Sequence, residues 1–309
     1  MRQPPIVMAE SVRAALDGHQ PVVALESTVI THGLPHPQNL EIMRELEDIL
    51  RGTGVVPATI MVLEGQARIG LEPRDIPSLA TRLAGGEQLL KLGWRDLALA
   101  LAKGGSGGTT VSATLALAAQ AGIEVFATGG IGGVHRGWET TLDISSDLAA
   151  LSRFPVAVVS AGCKAILDVP ATLEYLETLA VPVLGWQTDS FPLFYTAQSD
   201  LGIDRIDSAE DFARLWKNHL DLGGQGLLIA NPIPAADSIP APQMEAFIDQ
   251  ALVAAQLHAI GGKALTPFLL DFLAQATKGG SVSANLALLR ANVKVAAELA
   301  KAIAKKEQT

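Results

Sequence analysis

Short apolar runs alternate with helix-length segments along almost all of the 309 residues, and this alternation constrains the fold more than any other feature. Pro21-Val22-Val23-Ala24-Leu25 leads through a loop to Asn39–Glu47, where apolar residues recur at helical spacing. Ala58–Leu63 follows and turns through Glu64-Gly65-Gln66 into Ala67–Leu71, which predicts a hairpin. Ile123–Thr128, Pro155–Val159, Val181–Leu184 and Gly226–Ala230 read as further strands, while Leu97–Leu101 fits strand or helix equally. Beyond Asn231-Pro232-Ile233-Pro234 the pattern is helical to the end. Strands separated by helices pair in parallel and need cover on both faces, so the expectation is an α/β fold with a mostly parallel central sheet. No linker rich in Pro, Gly or Ser interrupts the chain, and residues 1–309 are expected to form a single domain.

Composition narrows the function. Hydrophobic residues make up 49% and charged residues 18%, which suits a packed globular chain. A formal net charge of -9 without a basic stripe argues against nucleic-acid binding, although a local pocket can still be positive. The single cysteine, Cys163, excludes an intrachain disulfide framework and suits the reducing cytoplasm. Met1-Arg2-Gln3-Pro4-Pro5 lacks the apolar core of a signal peptide. The uncharged stretch from Gly104 to Ile123 is too rich in Gly, Ser and Thr for a lipid-facing helix and reads as a glycine loop followed by a buried helix.

Candidate chemistry gathers where strands end. Lys164 follows the Pro155–Val159 run and the small hinge Ser160-Ala161-Gly162-Cys163, at the sheet edge where open α/β folds bind ligands. It can act there as a phosphate counter-charge or as an amine nucleophile. Glu26 ends the first strand and is placed for proton transfer or for capping a helix. His32 and His36 have a separation that metal ligands use, but loop histidines are more often solvated. Thr128-Gly129-Gly130-Ile131-Gly132-Gly133-Val134-His135-Arg136-Gly137 allows close backbone approach to a ligand, and it differs from the dinucleotide fingerprint. In Asp143-Ile144-Ser145-Ser146-Asp147, two acids and two hydroxyls suit a largely hydrated Mg or Mn ion. Asp147 by its spacing reads rather as the cap of the helix beginning at Leu148. Lys103-Gly104-Gly105-Ser106 and Lys278-Gly279-Gly280-Ser281 each precede a helical run, so both are candidate phosphate turns, or plain caps.

Together these segments resemble the pseudouridine-5′-phosphate glycosidase family, also called the indigoidine-synthesis A family, over nearly the whole chain. The likeness rests on Ala24-Leu25-Glu26-Ser27-Thr28, Val56–Ile60, Phe126–Gly137, Asp143–Asp147, Ala161–Lys164, Leu176-Glu177-Thr178, Ala230–Pro234 and Thr266–Leu270. It implies a three-layer α/β/α fold, a homotrimer and a Mn2+-dependent enzyme that reversibly cleaves pseudouridine 5′-phosphate to uracil and ribose 5-phosphate. By matched motifs it implies that Lys164 is the Schiff-base nucleophile, Glu26 the general acid and Asp143 the metal carboxylate. Lys91, Val111, Ser145, Ser146 and Asp147 fall at substrate-contact positions, with His135 and Asn285 as further contacts. A Schiff-base aldolase would use a similar lysine, but the long helical C-terminus and the hairpin disfavour its eight-fold barrel. A non-catalytic sugar-phosphate sensor would not need Glu26, Asp143 and Lys164 together.

Overall fold

The computed structural model describes residues 6–34, 37–258, 260 and 265–307. Thirteen strands and twelve α-helices are assigned among these. The strands are β1 (Ile6–Met8), β2 (Val22–Leu25), β3 (Val56–Leu63), β4 (Gln66–Ile69), β5 (Leu90–Leu92), β6 (Gly107–Thr109), β7 (Val125–Ala127), β8 (Val134–His135), β9 (Ala157–Ser160), β10 (Leu167–Asp168), β11 (Val183–Trp186), β12 (Asp204–Ile206) and β13 (Leu227–Ala230). The helices are α1 (Glu10–Asp17), α2 (Gln38–Gly52), α3 (Asp75–Ala84), α4 (Leu97–Ala102), α5 (Val111–Ala121), α6 (Trp138–Thr141), α7 (Ser146–Leu151), α8 (Val169–Thr178), α9 (Ala209–Asp221), α10 (Ala241–Leu257), α11 (Leu265–Ala276) and α12 (Gly280–Glu307).

The sheet runs β1-β4-β3-β2-β7-β9-β13-β11-β12, with β6 branching from β3 and β5 from β6. From β3 to β12 every pairing is parallel, as strand–helix alternation requires. The central strands β2, β7, β9 and β13 are buried along their whole length, which is why they read as continuous apolar runs rather than alternating ones. Helix α12 lies across β2, β7 and β9, with α2 and α9 beside it. Helix α5 packs on β2, β3 and β4 and carries α7 alongside. This is the three-layer arrangement that the pattern predicts.

The β3–β4 hairpin is present, and Glu64 and Gly65 both take left-handed φ values of 50° and 73°, the turn that suits strand twist. Leu97–Leu101 resolves as helix α4. The glycine loop from Gly104 is only partly a loop, because Gly107–Thr109 forms β6 between β3 and β5. Among the described residues no helix is long and apolar enough to cross a membrane.

Strand order sets the site. Chain from β2 passes through α2 to β3 on one side, whereas β7 and β9 lie on the other. That reversal opens a crevice beyond the carboxyl ends of β2 and β7, where doubly wound sheets bind ligands.

Candidate active site

Glu26, Thr128 and Lys164 follow β2, β7 and β9 in the same crevice. Thr128 and Lys164 are held by neighbouring backbone. The glycine loop after β7 runs beside the hinge after β9. Ile131 N–H donates to the Gly162 carbonyl at 3.1 Å, and Lys164 N–H returns a bond to the Ile131 carbonyl at 3.0 Å. Further on, β8 pairs antiparallel with β10, placing His135 opposite Leu167. The other edge of β8 meets the acidic segment, with His135 N–H donating to the Asp143 carbonyl and Ser145 N–H to that of Gly133, each at 3.0 Å. A three-stranded tie thus brings Lys164, His135 and Asp143 to one cleft from three separate stretches of sequence.

The cleft has two lobes that share Glu26, Thr28, Lys91 and Lys164. The polar lobe, a cavity of about 380 Å³, adds Arg95, Thr110, His135, Asp143, Ser145 and Ser146. The apolar lobe, about 90 Å³, adds Val29, His32, Phe194, Leu270, Asn285 and Leu289. Lys91 reaches both from β5, a strand that its sequence pattern does not announce. Phe194 is buried at φ 63°, a backbone conformation that a bulky residue rarely adopts. A Cβ on Gly130 would lie 2.6 Å from the Phe194 ring, so only glycine lets the loop pass the aromatic wall.

Burial pushes the Glu26 carboxyl above its ordinary range, opposed by the Lys164 charge and by the Thr128 hydroxyl, which donates to Glu26 Oε1. A raised carboxyl is suited to giving up a proton near neutrality. His135 is lowered, chiefly by burial and also by the Lys164 and Lys91 charges, while Asp143 opposes them. Burial and the Lys91 charge likewise lower His32, whose Nδ1 lies 2.7 Å from Thr31 Oγ1. His36 lies outside the described residues, so the His32–His36 pairing has no structural account.

Asp147 departs from the sequence reading. Ser145 caps α7, its hydroxyl accepting from Asp147 N–H at 3.2 Å. The buried Asp147 carboxylate turns away from its own helix and accepts from Ser112 N–H at 2.9 Å, in the first turn of α5, and from Gly132 N–H at 2.8 Å. It caps a neighbouring helix and pins the glycine loop, and a spacing argument on one helix has no access to that partner. A Cβ on Gly132 would fall 2.3 Å from Ser145 Oγ, so the contact also needs glycine there.

The two glycine turns do not line either lobe. Gly65 N–H donates to the Gly105 carbonyl at 2.8 Å and Glu64 N–H to Ser106 Oγ at 2.9 Å, so the first turn buttresses the β3–β4 hairpin. Thr109 is buried and donates to the Ile60 carbonyl at 2.7 Å. In the second, Ser281 is buried and its N–H donates to Thr277 Oγ1 at 2.9 Å. Thr110, a few residues beyond the first turn, lines the polar lobe. Val111 has its side chain in the core, leaving its backbone N–H at the start of α5 as its polar group. Arg95 and Phe194 line the lobes without having been singled out in the sequence.

Among the described residues no three His, Cys, Asp or Glu side chains form a metal cluster. Asp143 is 44% exposed on the polar lobe, with His135 Nδ1 4.0 Å from its carboxylate. One half-exposed carboxylate fits a divalent ion that keeps most of its waters, and does not fit a closed protein cage.

Comparison with known proteins identifies the family. The family described as Indigoidine synthase A like protein matches residues 11–302. The chain belongs to that family. Relatives named pseudouridine-5′-phosphate glycosidase include one from Sorangium cellulosum, 51% identical over 96% of this chain and 93% of its own length. Another, from Methylobacterium nodulans, is 52% identical over 98% and 89%. Among solved structures of similar fold, a prealnumycin C-glycosynthase in complex with ribulose 5-phosphate gives a TM-score of 0.91 at 38% identity, covering 99% of both chains. An indigoidine synthase A-like protein from Thermotoga maritima gives 0.88 at 35% identity and 98% coverage of both.

Proposed function

We propose that this protein is a pseudouridine-5′-phosphate glycosidase, reversibly splitting its substrate into uracil and ribose 5-phosphate. The observation that carries the reading is the convergence of Glu26 and Lys164 at the junction of a polar and an apolar lobe. The names of relatives about half identical over nearly the whole chain support it. The bond at issue joins two carbons, so no glycosidic oxygen is available for the paired-carboxylate route of O-glycosidases. An amine offers another route.

In this reading the phosphate lies in the polar lobe against Lys91, Arg95 and the hydroxyls of Ser145 and Ser146, and the base lies in the apolar lobe beside Phe194 and Asn285. Glu26 gives its proton to the ribose ring oxygen as the C1′–O4′ bond breaks, and the Lys164 amine adds to C1′. The nitrogen then gives up a proton, and its freed lone pair expels the base. The C1′–C5 bond breaks with its electron pair moving into the uracil ring, which takes a proton at C5. A protonated imine between Lys164 and the opened ribose 5-phosphate is left behind. Water hydrolyses it, frees the sugar phosphate and restores the amine. His135, neutral by its lowered value, is placed to hydrogen-bond without adding charge. A divalent cation such as Mn2+, held by Asp143 and its waters, would supply positive charge beside the phosphate. We assign the same enzyme a homotrimeric assembly and a cytoplasmic location, on the resemblance and the single buried Cys163.

The C-glycosynthase neighbour raises a second reading, in which formation of the C–C bond to a different acceptor is the working direction. The small apolar lobe favours a single-ring base. Release of uracil from pseudouridine 5′-phosphate tests the first reading, and absence of release alongside coupling of ribose 5-phosphate to an acceptor other than uracil would establish the second.

A further inference from the structure

Two buried asparagines lie behind Glu26, in segments far apart in sequence. Asn231 follows β13, and its N–H donates to the Ser160 carbonyl at 2.8 Å. Its side-chain amide donates to Asn292 Oδ1 at 2.9 Å. Asn292 sits on α12 among Leu288, Leu289, Val293 and Ala296, all buried. Its own amide donates to the Thr128 carbonyl at 2.8 Å and approaches that of Gly129 at 3.4 Å. Thr128 N–H is tied to the Val159 carbonyl at 3.0 Å, and its hydroxyl donates to Glu26. A polar residue in an apolar helix–sheet interface costs stability unless it is fully bonded, and a leucine would fill this interface without that condition. The chain of bonds ends at the carboxyl that protonates the sugar.

We infer that Asn292, held by Asn231, is a positioning residue for the reaction: it fixes the Thr128 peptide so that the Thr128 hydroxyl is aimed at Glu26. This rests on the proposed role of Glu26 as general acid. Thr128 thereby has its N–H, its carbonyl and its hydroxyl all engaged, which leaves the hydroxyl one direction in which to point. The hydroxyl bond favours the charged carboxylate. The other groups acting on Glu26 are Lys164, Lys91 and Asp147, and the same two lobes also hold His32, His135 and Asp143. None of these is altered by changing Asn292.

The test is the pH dependence of uracil release in the full-length enzyme, with circular dichroism and melting temperature on each variant. Activity that needs protonated Glu26 is lost as pH rises, so this group sets the alkaline limb. Thr128→Val removes a bond to the carboxylate, which should move that limb up by about one pH unit. Thr128→Ser retains the hydroxyl and should leave the limb in place. Asn292→Leu should move it in the same direction as Thr128→Val, lowering kcat about tenfold with KM within about twofold. Asn231→Ala carries the same test should Asn292→Leu not fold. A folded Asn292→Leu enzyme whose limb coincides with wild type would overturn the inference, even if its melting temperature falls. So would identical profiles for the two Thr128 variants. Glu26→Gln separates the two levels. If it is inactive while the Thr128 and Asn292 profiles match wild type, the glycosidase reading stands and the positioning role falls. If it keeps full activity, the assignment of Glu26 as acid falls and takes the positioning role with it.

Discussion

Lys164 and Ile131 are bound backbone to backbone, the lysine N–H donating to the isoleucine carbonyl at 3.0 Å. The lysine backbone is therefore tied to the glycine loop, and the point from which its side chain reaches into the cleft is set by two chain segments. We expect borohydride, added with ribose 5-phosphate, to fix a sugar-phosphate mass on the peptide containing Lys164. Lys164→Arg keeps the charge but cannot form the imine, and turnover should vanish with folding intact. An adduct recovered only on other lysines would sink the assignment.

The phosphate should be gripped in the polar lobe and not by the glycine turns. Unphosphorylated pseudouridine would forfeit several charge-assisted bonds, lowering kcat/KM by about two to three orders of magnitude. Lys91→Met should reproduce much of that loss with the phosphorylated substrate. Ser106→Ala, in the turn that buttresses the hairpin, should leave kcat/KM unchanged while costing some stability. Steady-state assays on both substrates decide the matter, and a large effect from Ser106→Ala would return the phosphate to the glycine turn.

The parallel sheet, the hairpin, and Glu26 and Lys164 at strand ends were legible because each is encoded locally, by apolar period, turn chemistry or position after a strand. Asp147 was not, since its partners Ser112 and Gly132 come from other segments and the same residue could equally have capped its own helix. The two glycine turns look alike in sequence, but the first is claimed by the neighbouring hairpin, a partner that no local pattern records. Asn292 did carry a signal. It stands seven residues after Asn285, two helical turns along the same face of an apolar stretch, where a polar side chain needs a buried partner. Short β5 gives too few residues for a period, so only the family likeness pointed to Lys91.

Asp143 is expected to govern a metal requirement. A chelator should abolish uracil release and Mn2+ should restore it. Asp143→Asn, which replaces a charged oxygen donor with a neutral amide, should raise the Mn2+ concentration needed by about tenfold or more. Metal-stripped enzyme with full activity would refute the site. Because Asp147 spends both oxygens on backbone N–H groups, transfer of the metal effect to Asp147 is not expected.

Glu26 should trade stability for chemistry. Its carboxyl is raised in the folded protein by burial, so its neutral form is the one that folding favours. That stability is fully present below the ordinary carboxylate range and is lost as pH rises through the raised value. Glu26→Gln stays neutral throughout. The variant should melt close to wild type in acid and above it near neutrality, while releasing no uracil. A melting difference independent of pH would mean that burial does not dominate at this residue.

Asp147 supplies the last test, because its two bonds fix the sign of the outcome. The carboxylate accepts one N–H with each oxygen, from Ser112 and from Gly132. An asparagine offers one acceptor oxygen and sets an NH2 group against the other donor, leaving a buried N–H unpaired at a cost of about 1–3 kcal/mol. Asp147→Asn should therefore lower the melting temperature. It should also raise KM for the phosphorylated substrate, since Ser145 and Ser146 line the polar lobe from the segment that Asp147 anchors. A direct contact with the substrate predicts otherwise. Removing a negative charge from beside a phosphate would tighten binding, so KM would fall while the melting temperature held. Melting curves and KM measured on the one variant separate the strut from the contact.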